Sequence, residues 1–163
     1  MTKRLNQAMT ALTQSYFDGT LAKGDCASCA VGNMVAHAHG KRVKRLDTPV
    51  ELEKYIDNSD WKKGFFTVTE TGEQRIFESG LIHPSFLFCI APTGYAALDL
   101  AKVEYAFETS TTIAGTNYHL HTPEEIDADQ LAGLYAVVEV LCELDNIADP
   151  QEYKAMFALP VIA

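Results

Sequence analysis

Thr122-Pro123-Glu124-Glu125 opens the stretch that decides the fold, and the apolar-rich run as far as Asp145 continues it. Threonine can accept a hydrogen bond from a first-turn amide, and proline fits the first helical position, where no amide partner is needed. Glutamate at the third position can bond back to the cap amide. Together they predict a helix starting at Glu124 and running to Asp145, the longest in the chain. Thr48-Pro49-Val50-Glu51 and Asp149-Pro150-Gln151-Glu152 repeat the pattern and predict two further helix starts.

Periodicity supplies most of the rest. Leu5, Met9, Leu12 and Tyr16 follow helical spacing and predict a first amphipathic helix ending near Gly19. A second short helix is expected from Cys26 to Ala38, with Asp25 as its cap, and a third over Val50 to Ile56. Phe65 to Thr69 and Gln74 to Phe77 flank Thr71-Gly72 and read as a small β-hairpin near residues 65–77. Tyr95 to Glu108 reads as helix, with Leu100, Val103 and Phe107 on one face, and Gln151 to Phe157 as a last short one. Gly80 to Thr93 is apolar, proline-punctuated and unassigned. The expectation is a mainly α chain, residues 1–163 forming a single compact helical domain of about five to six helices with a small hairpin.

The 163 residues are long enough to bury a core without cross-links. No apolar run approaches the roughly 18 residues of a membrane span. The start, Met1 to Gln7, turns polar where a signal peptide needs its apolar stretch. A cytoplasmic location without membrane attachment is therefore expected. The net charge is −9, and residues 76–163 hold 2 basic against 13 acidic side chains. Such a surface repels phosphate backbones and argues against nucleic-acid binding. The exception is Lys41-Arg42-Val43-Lys44-Arg45. That cluster reads as a solvated loop, or as a contact for an acidic protein partner or the acidic half of a second copy in a homo-oligomer.

Asp25-Cys26-Ala27-Ser28-Cys29 carries the one spacing with a chemistry of its own. On a helix starting at Cys26, the first-turn amides and the helix dipole favour a Cys26 thiolate. Cys26, Cys29, Asn33 and His37 would then form one stripe, bordering a groove, beside a more apolar stripe of Ala27, Val31, Met34 and Ala38. In a redox use, Cys26 attacks and Cys29 resolves, although the strand that leads into a thioredoxin-like motif is missing. In a metal use, Cys26 and Cys29 supply two ligands of a tetrahedral site, and His119 and His121, read as an extended pair, supply two more. In the third, the cysteines are reduced thiols packed at a helix start. Cys89 and Cys142 read as small buried hydrophobes.

No nucleotide-binding, zinc-protease or serine-hydrolase motif appears, so no cofactor and no catalytic group is expected. Glu139 and Glu143 read as the solvent face of the long helix. The leading expectation is a soluble accessory or interaction protein, more simply not an enzyme, with the cysteine face as its special surface. A thiol-redox or metal-binding protein using Cys26 and Cys29 is the alternative.

Cys26-Ala27-Ser28-Cys29-Ala30-Val31-Gly32-Asn33 resembles the C-x-x-C-A-V-G-N segment of a family of small Bacteroidota proteins. Gly94-Tyr95, Leu98-Asp99-Leu100, Val103-Glu104 and Phe107 resemble a second of its helices. Leu141-Cys142-Glu143-Leu144-Asp145, with Tyr153 and Phe157, resembles its closing part. The resemblance covers about half the chain and implies a recurring helical fold carrying Cys26, Cys29 and Cys142. Its members often bear the name of the flavin- and NAD-binding component of the Na+-translocating NADH-quinone reductase, which makes an oxidoreductase-associated subunit the third expectation. That component's membrane helix, ferredoxin-type cysteines and flavin and NAD domains have no counterpart motif in this sequence.

Overall fold

The computed structural model describes residues 1–24, 28–40, 65–68, 73–76 and 84–158. The architecture is mainly α. Helix α1 spans Lys3–Asp18, α2 Ala30–Ala38, α3 Pro84–Ile90, α4 Ala97–Ser110, α5 Pro123–Leu144 and α6 Gln151–Lys154. Strands β1, Phe65–Val68, and β2, Glu73–Ile76, pair antiparallel with Phe65 opposite Ile76. The helix expected from Thr48, the basic cluster Lys41 to Arg45 and the turn Thr71-Gly72 lie outside the described residues. Among the described residues no helix is long and apolar enough to cross a membrane.

The pairing of α4 with α5 is the centre of the core. Leu100, Val103 and Phe107 on α4, and Leu134, Val137, Val138 and Leu141 on α5, are each fully buried. Full burial of one such side chain stabilises by roughly 1.5–3 kcal/mol, so this stripe-on-stripe contact is a large share of the fold's driving force. Gly133 leaves no room for a side chain between them: a Cβ there would lie 2.5 Å from Thr111 Cγ2 and 2.9 Å from Phe107 Cδ2. Helix α1 adds Leu5, Met9 and Leu12 to the same core.

Both ends of α5 are tied down. At its start Thr122 is the cap, its Oγ1 accepting from the Glu125 amide at 3.2 Å, with Pro123 at the first helical position. The Glu125 carboxylate is held below the usual range by hydrogen bonds to His121 and Thr122. At its end the carboxylate of Asp145 faces the negative pole of the helix, an unfavourable placement in isolation. Arg4 offsets it, donating through Nε to Asp145 Oδ1 at 2.8 Å and through its terminal nitrogen to the Leu144 carbonyl at 3.1 Å. The Thr2 hydroxyl also donates to Asp145, while its oxygen caps α1 through the Leu5 amide. The Arg4 guanidinium lies 4.6 Å from the centre of the Tyr95 ring, and Gly94, at φ 79°, leaves room for the Arg4 Cβ.

Several boundaries move. Helix α6 begins at Gln151 as expected, but gives way to a 3-10 turn at Ala155–Phe157; Pro150 rather than Asp149 occupies the cap position, while the Asp149 carboxylate accepts from the Gln151 amide at 3.0 Å. Helix α4 begins at Ala97 rather than Tyr95. The unassigned segment contains α3 and a single 3-10 turn, Ala91–Thr93. The largest correction concerns α2, which begins at Ala30, not Cys26.

Candidate functional site at the start of α2

Cys29, not Asp25, caps α2. Its backbone is extended, at φ −68° and ψ 178°, and its Sγ accepts a hydrogen bond from the Gly32 amide at 3.3 Å. The first-turn amides of this helix therefore favour negative charge at Cys29, where the sequence placed that effect at Cys26. Asp25, Cys26 and Ala27 lie outside the described residues.

The described part of the expected cysteine face, Cys29 and Asn33, is buried. Cys29 is 1 % exposed and Asn33 3 %, and every residue from Ala30 to Ala36 is buried. From Ala30 to Ala36 the helix is buried, so among the described residues Cys29 and Asn33 face no open groove. His37, further along, is half-buried.

Asn33 organises the loop that presents Cys29. Its Nδ2 donates to the carbonyls of Ser28 at 2.8 Å and Cys29 at 3.0 Å. Its Oδ1 faces the hydroxyls of Ser15 on α1, at 2.8 Å, and Thr20, at 3.0 Å. One buried amide thus joins the end of α1, the loop and the start of α2, leaving its own donors and acceptor satisfied. The loop is also fixed to α4. Lys23 Nζ donates to the Glu108 carbonyl at 2.6 Å and to the Thr111 carbonyl, and the Gly115 amide donates to the Lys23 carbonyl at 2.9 Å.

Two carboxyl groups of α4 face this loop. Glu108, 7 % exposed, accepts from the Gly24 amide at 3.1 Å through Oε1. Glu104, one turn earlier, is fully buried, and its Oε2 accepts from the Val31 amide at 3.2 Å. The Cys29 thiol and the Glu108 carboxyl are both within hydrogen-bonding reach of Glu104. Its other oxygen, Oε1, is buried and receives no hydrogen bond among the described residues. Burial pushes the Glu104 carboxyl well above the usual range, and the charge of Glu108 adds to this; the Cys29 and Val31 hydrogen bonds act in the opposite direction. A carboxyl group that burial makes more basic than usual, against a cysteine sulfur, is the chemical content of the site.

The sequence reading missed Glu104. Its signal was a glutamate on the stripe Ala97, Leu100, Ala101, Glu104, Glu108, a polar interruption of an otherwise core-facing row. Among the described residues, His119 and His121 do not join Cys29 in a group placed to hold a metal. His119 belongs to a 3-10 turn, Gly115–Leu120, not to extended chain, so the two rings lose the common direction that extended spacing would give. His121 Nδ1 instead pairs with Glu125 Oε2 at 2.9 Å. Among the described residues no group of three or more histidine, cysteine or acidic side chains is placed to hold a metal ion. Of the other cysteines, Cys142 is buried, with its thiol pushed up by that burial, and Cys89 is half-buried.

Comparison of the chain with family models, with curated proteins and with solved structures finds no match.

Proposed function

We propose that this chain is a dithiol redox protein in which Cys26 and Cys29 exchange two electrons with a disulfide substrate. The observation that carries this reading is the setting of Cys29: a buried sulfur at a helix N-terminus, in reach of a buried carboxyl group. A structural cysteine needs neither feature. A resolving cysteine is served by both, because its thiol must lose a proton away from water before it attacks.

The chemistry balances without a cofactor. A Cys26 thiolate attacks the disulfide R–S–S–R, forms a Cys26–S–S–R bond and releases one R–S⁻. Cys29 then attacks the Cys26 sulfur, closes the Cys26–Cys29 disulfide and releases the second R–S⁻. The substrate gains two electrons and the protein loses two; an external dithiol returns the protein to its starting state. The spacing of three residues between the two cysteines suits this exchange.

An aromatic disulfide whose released thiolate is coloured, 5,5′-dithiobis(2-nitrobenzoate), tests the reading. In a Cys89→Ser background, the native dithiol should release two nitrothiobenzoates and retain none. Cys29→Ser should release one and keep the other on Cys26. Retention of a nitrothiobenzoate on Cys26 in the protein with Cys29 intact would refute the reading.

A second reading, an accessory protein that docks on a partner, is favoured by exposed apolar side chains. Leu98 and Tyr105, two turns apart on α4, are about half exposed, and Phe88 on α3 is 78 % exposed. Such a surface, not the cysteine stripe, would be the contact.

A further inference from the structure

We infer that Glu104 is the proton acceptor for Cys29 in the resolving step, and that Glu108 and the Val31 amide hold it in position. This rests on the dithiol reading and deepens it.

Three observations support the assignment. Glu104 is the carboxyl group that the fold brings to the Cys29 sulfur, and it comes from a different helix, so its placement is a product of packing, not of local sequence. Its Oε2 is anchored by the Val31 amide, while Oε1 is buried and accepts nothing among the described residues, which leaves a lone pair for an incoming proton. A buried acceptor left without a donor is costly. A structure that keeps one beside a thiol has a use for it. Burial also displaces the carboxyl's titration upward, which makes it a stronger base than an ordinary carboxylate.

The groups that bear on Glu104 are few. From its own helix comes Glu108, whose Oε1 is turned to the Gly24 amide. From the start of α2 come the Cys29 thiol and the Val31 amide. The buried side chains of α5, packed against α4, are apolar at Leu134, Val137, Val138 and Leu141. Lys23 is spent on the carbonyls of Glu108 and Thr111. No cation therefore neutralises Glu104 among these groups, and it can take up a proton.

In the step itself, with Glu104 starting as the carboxylate, the Cys29 S–H proton moves to it. The Cys29 sulfur's electron pair forms the bond to the Cys26 sulfur. The Cys26–S–S–R bond breaks, and its electron pair leaves on R–S⁻. When the dithiol is restored, Glu104 returns the proton to Cys29.

The test follows release of the second nitrothiobenzoate in single turnovers at a series of pH values, in the Cys89→Ser background. The release should accelerate as pH rises through the displaced titration of Glu104. Glu104→Gln should slow it by tenfold or more and remove that inflection, while first release, from attack by Cys26, stays within about twofold. Glu104→Asp should restore part of the rate. An unchanged rate and pH profile in Glu104→Gln would overturn the inference and leave the dithiol reading standing. Failure of the second release in the protein with both cysteines and Glu104 intact would overturn both. Should Glu104→Gln fail to fold, carboxyl-carbon NMR of the native protein decides. One glutamate should titrate well above the rest and shift in Cys29→Ser; if no such resonance responds to that substitution, the inference is wrong.

Discussion

Replacing Asn33 by aspartate exchanges one nitrogen for oxygen and tests the staple that holds the cysteine loop. The shape is kept, but both donors are lost, and an acceptor then faces the carbonyls of Ser28 and Cys29, at 2.8 and 3.0 Å from the present nitrogen. Neither carbonyl is orphaned, because Ser28 O still accepts from the Ala22 amide at 2.9 Å and Cys29 O from the Asn33 amide at 3.0 Å. Asn33→Ala loses the two hydrogen bonds that Nδ2 donates and the two that Oδ1 accepts from Ser15 and Thr20, about 1 kcal/mol each, and should cost about 4 kcal/mol. Asn33→Asp keeps the acceptor for Ser15 and Thr20 but sets a buried charge against two carbonyl dipoles, and should cost about 3–5 kcal/mol at neutral pH. The sign with pH follows. The new carboxyl titrates higher in the folded state than in the unfolded one, so the folded state binds more protons between the two values. The deficit of Asn33→Asp should shrink on acidification toward the ordinary carboxylate range. Urea unfolding followed by far-ultraviolet circular dichroism, at neutral and mildly acidic pH, measures both variants. An aspartate variant as stable as the native protein at neutral pH, or one whose deficit is insensitive to pH, would refute this account of Asn33.

Gly133→Ala should destabilise by about 1–2 kcal/mol, since overpacking against Phe107 and Thr111 outweighs a helix-propensity gain of up to about 1 kcal/mol; a raised unfolding midpoint would contradict the close approach of α4 and α5. Thr122→Ala should cost about 0.5–2 kcal/mol for the lost cap of α5, read from the same denaturation curves. Because the Glu104 carboxyl titrates above its unfolded value, the folded protein binds the extra proton, and native stability should fall as pH rises from the ordinary carboxylate range through about 8. The slope from this group is at most about 1.4 kcal/mol per pH unit, and a Glu104→Gln variant that keeps the same slope would rule it out as the source.

Local signals were legible wherever the interaction partners are near in sequence. The Thr122-Pro123 start of α5, the Gly19 end of α1 and the buried stripe Leu100, Val103, Phe107 follow from capping chemistry and periodicity. The start of α2 was misplaced because aspartate is a common cap and cysteine is not, whereas here the Cys29 sulfur takes the Gly32 amide. Glu104 was hidden for a different reason. Its meaning depends on Cys29 and Val31, more than seventy residues away in sequence, which no helical period can reveal. Asn33 was seen as a residue of the cysteine stripe, but its partners Ser15 and Thr20 belong to the preceding helix and loop, and they turn an expected surface group into a buried staple.

The central claim, that Cys26 and Cys29 form a reversible dithiol–disulfide couple, is tested most directly by equilibrating the native protein in glutathione buffers of graded redox poise. Acid quenching and intact-mass measurement with peptide mapping then read the state of each cysteine. The account predicts a reversible loss of two hydrogens, mapped to a Cys26–Cys29 bond, with Cys142 unmodified across the series. Contradiction would be a protein whose Cys26 and Cys29 stay thiols at every poise, or take up glutathione separately without ever joining to each other.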